Sequence, residues 1–223
     1  MMTESAPTPQ TRVVRVWDVP VRFVHWLIVV LLAVSWWTAE TGRMEWHQYS
    51  GFTMLALLVF RVYWGFFGSS TARFASFVRG PRVIAAYVKG RWAAMPGHNP
   101  LGALSVVALF ALLLAQVALG LFAVDVDGIE SGPLSIYVSF DAGRVAAKWH
   151  HTVFDILLWL VALHVVAVFY YVFIKKENLV GAMISGKRTY PEREFAHVAS
   201  VSKLRVVVGA LIACAFTWWI AST

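Results

Sequence analysis

Five long apolar segments constrain what this chain can fold into more than any other feature. They span about residues 21–40, 48–67, 101–124, 149–174 and 204–221, and an α-helix needs roughly 20 such residues to cross a bilayer. The helices of a soluble bundle would show a polar stripe every three to four residues, whereas VALFALLLAQVALGLFAV contains a single polar side chain, that of Gln116. The pattern predicts an all-α integral membrane bundle with five spanning helices.

The composition supports a lipid environment. Hydrophobic residues make up 59% of the 223 residues and charged residues 14%, whereas soluble domains carry about 25% charged residues. The chain has one cysteine, Cys214, which excludes zinc and iron–sulfur sites that need several thiolates. The net charge of +7 is explained by the membrane topology, so we do not expect nucleic-acid binding.

The charged residues between the apolar segments predict the orientation. The stretch up to Arg22, loop 68–100 and segment 175–203 hold fourteen Lys and Arg residues and lie on one side if all five segments span. The opposite side holds six acidic and three basic residues: Glu40, Arg43, Glu45, Asp125, Asp127, Glu130, Asp141, Arg144 and Lys148. Because basic loops stay in the cytoplasm, we expect the N-terminus inside the cell and the C-terminus outside.

The chain divides into three parts. We expect a loose N-terminal tail at residues 1–12, a four-helix domain at 13–188, and a connector with a C-terminal transmembrane helix at 189–223. The last helix has no histidine and no ionisable residue after Arg205. This is typical of an anchor or of a packing surface for another subunit.

Besides His151, which adjoins His150 at the start of the fourth segment, four histidines lie within the apolar segments or at their ends. An ionisable side chain inside a membrane is costly and by default marks a functional site. His164 lies in LLWLVALHVVAVFYY and His25 lies just inside the first segment. His47 and His150 open the second and fourth segments on the outer side.

Helix geometry groups these histidines into two pairs. His164 follows His150 by 14 residues, which is a rotation of about 320° and a rise of roughly 21 Å, so both lie on one helix face. His151 is rotated by about 220° from His164 and lies on the opposite face. The topology places His47 and His150 near the outer surface, and His25 and His164 in the inner half.

Two stacked histidine pairs favour haem. Haem iron accepts two axial imidazoles, and a bis-His haem keeps no open position for oxygen, which suits electron transfer. A metal channel or a proton relay also uses buried histidines, and each histidine could instead be bonded to a backbone carbonyl. A channel or a relay does not readily explain two pairs stacked about 20 Å apart, so we predict two haems.

Two further residues are candidates for contact with the macrocycles. Gly51 lies four residues after His47 and would let a porphyrin approach the helix, although ordinary helix packing also uses small residues. Arg61 lies 14 residues after His47 on the same face, where it would pair with a haem propionate or extend to the cytoplasmic interface. His98 lies in PGHNPLG, which reads as a loop, and is not expected to be a ligand.

Four motifs in order resemble the bacterial cytochrome b561 family, which includes the b-type cytochrome subunits of nickel–iron hydrogenases. They are VWDVPVRFVHW, HQYSGFTMLALLVFRVYWGFFGS, GHNPLGALSV and KWHHTVFDILLWLVALH, and the resemblance covers about residues 12–188. It implies a four-helix core with two b haems in a bacterial inner membrane, so that the outside is the periplasm.

Carried over by position, the resemblance implies His25 with His164 and His47 with His150 as the two ligand pairs, in agreement with the helix geometry. The chain departs from the pattern in two ways. Some family members have only four membrane helices, so the fifth is an addition. His151 stands where relatives can carry an acidic residue.

The expected function is electron transfer across the membrane between the quinone pool and a partner redox protein, without a bond-making residue in this chain. The partner would be a c-type cytochrome, a hydrogenase or another dehydrogenase, and the acidic outer side favours a basic one. The alternative is a self-contained quinone-coupled superoxide oxidase, an activity known in the family, although a negative entrance disfavours an anionic substrate. A histidine-lined transporter would need polar residues along a pore, and the helices show few.

Overall fold

The computed structural model describes residues 11–91, 97–191 and 201–223. In chain order its elements are β1 Thr11–Arg15, α1 Val19–Glu40, α2 Met44–Phe67, α3 Phe74–Phe77, α4 Pro81–Val88, α5 Pro100–Phe122, a 3-10 turn Ser135–Tyr137, α6 Phe140–Phe173, α7 Leu179–Ser185, β2 Lys187–Pro191 and α8 Lys203–Ala221. Five of these helices, α1, α2, α5, α6 and α8, are long and apolar enough to cross a membrane. The prediction of an all-α bundle with five such helices is confirmed.

Polar caps set where several of the long helices begin. The side chains of Asp18, Asn99 and Ser139 each accept a hydrogen bond from the backbone N–H three residues later, at the starts of α1, α5 and α6. Such caps satisfy donors that have no partner inside the helix. The cap at Ser139 makes α6 begin nine residues before the predicted segment, because residues 140–148 are too polar to count as apolar but continue the helix. His150 therefore lies well inside α6 and not at its start.

The long helices pack around an apolar middle layer. α1 packs on α2, α2 on α5, and α5 on α6, and the layer between them consists of Leu31, Met54, Leu58, Leu113 and Leu157. Leu58 and Leu157 are 0% exposed. Leu157 lies seven residues from both His150 and His164. The layer therefore separates an outer level of the bundle, which contains His150, from an inner level, which contains His164.

The fifth long helix lies outside this four-helix core. α8 packs on α2, where buried Ala213 joins a cluster with Phe60 and Trp64. Its opposite face exposes large apolar side chains such as Trp218, as expected for a surface that meets lipid or another subunit.

One end of the bundle carries a small cap of extended chain and short helices. β1 and β2 pair antiparallel, from Arg15 with Lys187 to Thr11 with Pro191. The Tyr87 hydroxyl of α4 lies 2.6 Å from the Tyr171 hydroxyl of α6. Burial, followed by this hydrogen bond, raises the pKa of Tyr87. The N-terminal stretch, the segment between α2 and α5, and the segment after α6 therefore meet at one end of the bundle.

The two strands lie across both expected boundaries of the four-helix domain. Thr11 and Arg12, expected in the tail, belong to β1 because the ladder to Pro191 and Tyr190 orders them. β2 also runs across the expected boundary between residues 188 and 189. Residues 1–10 of the predicted tail and residues 192–200 of the predicted connector lie outside the described residues.

Candidate functional site

The outer level brings His47 of α2 and His150 of α6 together. Their ring centroids are 6.1 Å apart and the rings are nearly perpendicular, at 83°. His47 Nδ1 lies 2.9 Å from the carbonyl oxygen of Ser35, and His150 Nδ1 lies 2.9 Å from that of Gln116. A carbonyl only accepts hydrogen bonds, so each Nδ1 is the donor. Each Nε2 therefore carries the lone pair that a metal would need.

This geometry fits two axial ligands of one metal. A metal–imidazole bond is about 2 Å long, which places the centroids of two opposite imidazoles roughly 6 Å apart, close to the observed separation. A metal-bound imidazole typically donates its other N–H to a carbonyl or carboxylate, as both rings do here. The Gln116 amide nitrogen, 3.1 Å from His150 Nε2, would have to turn away for a metal to bind.

Two glycines adjoin the outer level in different ways. A Cβ added at Gly120 of α5 would lie 2.9 Å from Cε1 of His150, so the missing side chain admits the imidazole against α5. A Cβ added at Gly51 of α2 would meet nothing within 4 Å. Open space therefore lies along α2 one turn from His47, where a flat ligand can approach the backbone.

The inner level contains His25 of α1 and His164 of α6. Both are half-buried, and they lie within electrostatic range of each other. The His25 ring packs edge-on against Trp26, with centroids 5.0 Å apart. Its Nδ1 is buried and has no hydrogen-bond partner in the described part of the chain. The structure thus places the four predicted histidines at two levels of the same bundle.

Arg61 extends into the bundle at the inner level. Only 9% of the residue is exposed, which argues against extension to the membrane interface. Its guanidinium lies over the Phe74 ring at 5.1 Å, and Phe74 fits there because an added Cβ at Gly65 would overlap its ring. Nη1 of Arg61 is buried, without a hydrogen-bond partner among the described residues. The carboxylate of Asp18 is within electrostatic range.

His98 is the residue that sequence reasoning did not connect with the site. Its ring lies between those of Trp17 and Phe77, with centroids 4.6 and 4.9 Å away, and it is within electrostatic range of Arg61, His25 and His164. Burial first, and then the nearby Arg61 charge, lowers the pKa of His98 to about 3, which keeps the ring neutral. Its position directly before Asn99, the cap of α5, was the available signal.

The remaining ligand chemistry is sparse where the structure is described. His151 is exposed, and its ring centroid lies 6.3 Å from that of His150. Within residues 11–91, 97–191 and 201–223, no group of three or more His, Cys, Asp or Glu side chains is placed to hold a metal ion. Haem needs only two axial protein ligands, because the porphyrin supplies the others.

Comparison with known proteins gives a curated relative and a family model. A curated relative, a probable Ni/Fe-hydrogenase B-type cytochrome subunit of Azotobacter chroococcum mcd 1, is 24% identical over a 217-residue alignment that covers 80% of this chain and 90% of that protein. No solved structure gives a significant match. The family model for prokaryotic cytochrome b561 matches residues 16–186. The chain therefore belongs to the prokaryotic cytochrome b561 family, and it is a multi-pass bacterial membrane cytochrome of the b type that works in electron transfer.

Proposed function

We propose that this cytochrome holds two b haems, one at each histidine level, and carries electrons across the membrane between the quinone pool and an external redox protein. His47 with His150 would hold the outer haem, and His25 with His164 the inner one. A bound b haem supplies an iron centre that takes up and releases one electron at a time. The chain supplies ligands, positions and surroundings, and no bond-making residue.

The geometry of the outer pair carries this proposal. Its ring centroids are 6.1 Å apart, and both Nδ1 atoms are bonded to backbone carbonyls. Four unrelated membrane histidines bonded to carbonyls would share the second property. Unrelated histidines on two helices need not meet at one level of the bundle, as the rings of His47 on α2 and His150 on α6 do.

The inner level supports a second haem through charge as well as through ligands. Haem carries two propionate groups, which are anionic and seek buried cations. Arg61 presents such a cation within electrostatic range of His98, which is also in range of His25 and His164. The apolar layer around Leu58 and Leu157 keeps water from the space between the two levels, which lie roughly 21 Å apart by helical rise.

The outer loop between α5 and α6 is suited to docking a redox partner. It exposes Val126 at 72% and Ile129 at 81% beside the acidic residues Asp125, Asp127 and Glu130. An apolar centre with a charged rim is the usual composition of a protein interface. A hydrogenase is the first candidate, given the name of the curated relative, and a c-type cytochrome is the second. The positive-inside pattern places this loop in the periplasm, with the N-terminus in the cytoplasm.

The first experiment counts haem in the purified protein. We expect two low-spin b haems per chain from reduced-minus-oxidised spectra and a pyridine haemochrome assay. Each single change of His25, His47, His150 or His164 to Ala should remove one haem. His151→Ala is the matched control, since His151 is exposed and adjacent to a ligand, and it should keep both.

Double variants test the pairing itself. His25→Ala with His164→Ala should cost no more than one haem, because both ligands serve the same iron, and the same holds for His47→Ala with His150→Ala. His25→Ala with His150→Ala should remove both. A colourless wild-type protein would refute the proposal and favour a histidine-lined transporter.

A further inference from the structure

Three buried nitrogens without hydrogen-bond partners gather at the inner level. They are His25 Nδ1, Arg61 Nη1 and His98 Nδ1, and none has a partner within the part of the chain that the structure describes. Arg61 and His25 each lie within electrostatic range of His98. At the outer level, by contrast, both Nδ1 atoms are bonded to carbonyls.

One carboxylate, that of Asp18, is in electrostatic range of Arg61. Asp18 accepts hydrogen bonds from Val21 N at 2.7 Å and Trp64 Nε1 at 2.9 Å, whereas Nη1 of Arg61 has no hydrogen-bond partner among the described residues. A buried cation or N–H group without an acceptor is costly. The inner level therefore favours an additional anionic acceptor.

His98 is well fixed for such a role. Trp17, which follows β1, and Phe77 of α3 hold its ring from two sides. Next to it, Gly97 contacts Tyr190 of β2 through its backbone. The chain after β1, helix α3 and the loop before α5 thus meet at one imidazole.

We propose that His98 and Arg61 form a carboxylate pocket that binds the propionates of the inner haem. This rests on the proposed function, because it requires a haem at the His25–His164 level. Arg61 supplies the charge and His98 supplies a neutral N–H donor, while the iron ligands remain His25 and His164. The cap of β1, β2 and α3 then serves to position a cofactor contact.

The test uses the haem-loaded protein with His98→Leu and His98→Gln. Leu removes the donor, whereas Gln keeps an N–H. A hydrogen bond to a charged group is worth enough to predict that the inner haem of His98→Leu transfers to apomyoglobin roughly tenfold faster. Its midpoint potential should fall, because a propionate that loses an N–H donor exerts more of its negative charge on the iron and stabilises the ferric state. His98→Gln should recover most of both effects, and the outer haem should be unchanged.

A second arm identifies the carboxylates as the ligand. The wild type and His98→Leu are stripped of haem and reloaded with haem b or with its dimethyl ester, whose propionates carry no charge. We expect the rate of haem transfer to differ roughly tenfold between the wild type and His98→Leu with haem b, and not to differ with the ester. An equal difference with both would show that a lipid phosphate or the protein itself is the partner of His98, and would overturn the proposal.

Other results also overturn it, and they remain separable from failure of the proposed function. Loss of the low-spin inner haem in His98→Leu would make His98 an iron ligand, and unchanged transfer and potential would mean that it touches no propionate. In both cases a wild type with two haems leaves the proposed function intact. A wild type without haem would overturn both proposals.

Discussion

The outer and inner histidine levels belong to one bundle but are prepared for a ligand in different ways. At the outer level, His47 and His150 are each held through Nδ1 by a backbone carbonyl at 2.9 Å. At the inner level, His25 Nδ1 and Arg61 Nη1 are buried without partners in the described residues. The ligand histidines of the outer level have hydrogen-bonded Nδ1 atoms, whereas the inner level contains buried nitrogens without acceptors among the described residues.

The difference indicates what haem binding would depend on at each level. The protein alone orients the outer imidazoles, so binding there depends chiefly on the room around them. The inner level instead holds a buried charge that needs an anion, so binding there depends on the propionates as well as on the iron. Steric changes should therefore act at the outer level and charge changes at the inner level.

The largest expected effect is that of Gly120→Val. A Cβ at this position would already lie 2.9 Å from the His150 ring. The two further methyl groups of valine would therefore push the imidazole out of its position. We expect loss of the outer haem with the inner haem retained, measured as one haem per chain by the haemochrome assay.

Ala118→Val is the matched control for this change, because Ala118 lies on the same helix with an exposed side chain. It should keep two haems. Loss of the inner haem in Gly120→Val, or of both, would show that the two levels are not independent.

The second effect in size is that of Arg61→Leu. Removing a charge-assisted contact costs about 1.5–3 kcal/mol, so the inner haem should bind roughly ten- to a hundredfold more weakly. Its midpoint potential should also fall. Arg61→Lys should restore part of the potential, since it returns the charge without the forked geometry. A redox titration in which the outer component shifts instead would reverse the assignment of the two levels.

The parts of the fold that follow from length and periodicity were predictable. Roughly 20 apolar residues per segment identified the five long helices, and a period of 3.6 residues assigned His150 and His164 to one face. The family assignment made from four ordered motifs is also confirmed. The start of α6 was missed because it depends on the cap at Ser139 and on a polar helical extension, neither of which an apolar window detects.

The parts that depend on contacts distant in sequence were not predictable. Arg15 pairs with Lys187 across more than 170 residues. A local sequence pattern cannot predict a sheet between strands that are so far apart in the chain. His98 was assigned to a loop, which is correct locally, but its approach to Arg61 depends on how Trp17 and Phe77 pack around it. The burial of Arg61, which argues against its extension to the cytoplasmic interface, likewise depends on Phe74, whose ring lies under the guanidinium.

Gly51→Ala should have a smaller effect, confined to the outer level. The added Cβ meets no protein atom within 4 Å, and alanine in a helix is favoured over glycine by about 1 kcal/mol, so the haem-free protein should become more stable. A macrocycle lying against Gly51 would collide with the methyl group, at a cost of about 1 kcal/mol or more. We expect outer haem binding to weaken about fivefold by titration, and Gly51→Val to weaken it further. Higher stability with unchanged haem binding would mean that no haem lies on this face.

The smallest effect should come from Ser50→Ala. Ser35 and Ser50 join α1 to α2 through hydroxyl oxygens 2.7 Å apart, beside the Ser35 carbonyl that holds His47. Removing one hydroxyl leaves the other without its partner and costs about 1 kcal/mol, so outer haem release should quicken roughly threefold while the inner rate stays constant. Replacing both serines by alanine should cost less than Ser50→Ala alone, because no unpaired hydroxyl then remains. If the double variant releases the outer haem faster than the single one, the serine pair stabilises the outer level by more than its hydrogen bond. The packing of α1 on α2 would then also help to orient the outer ligands.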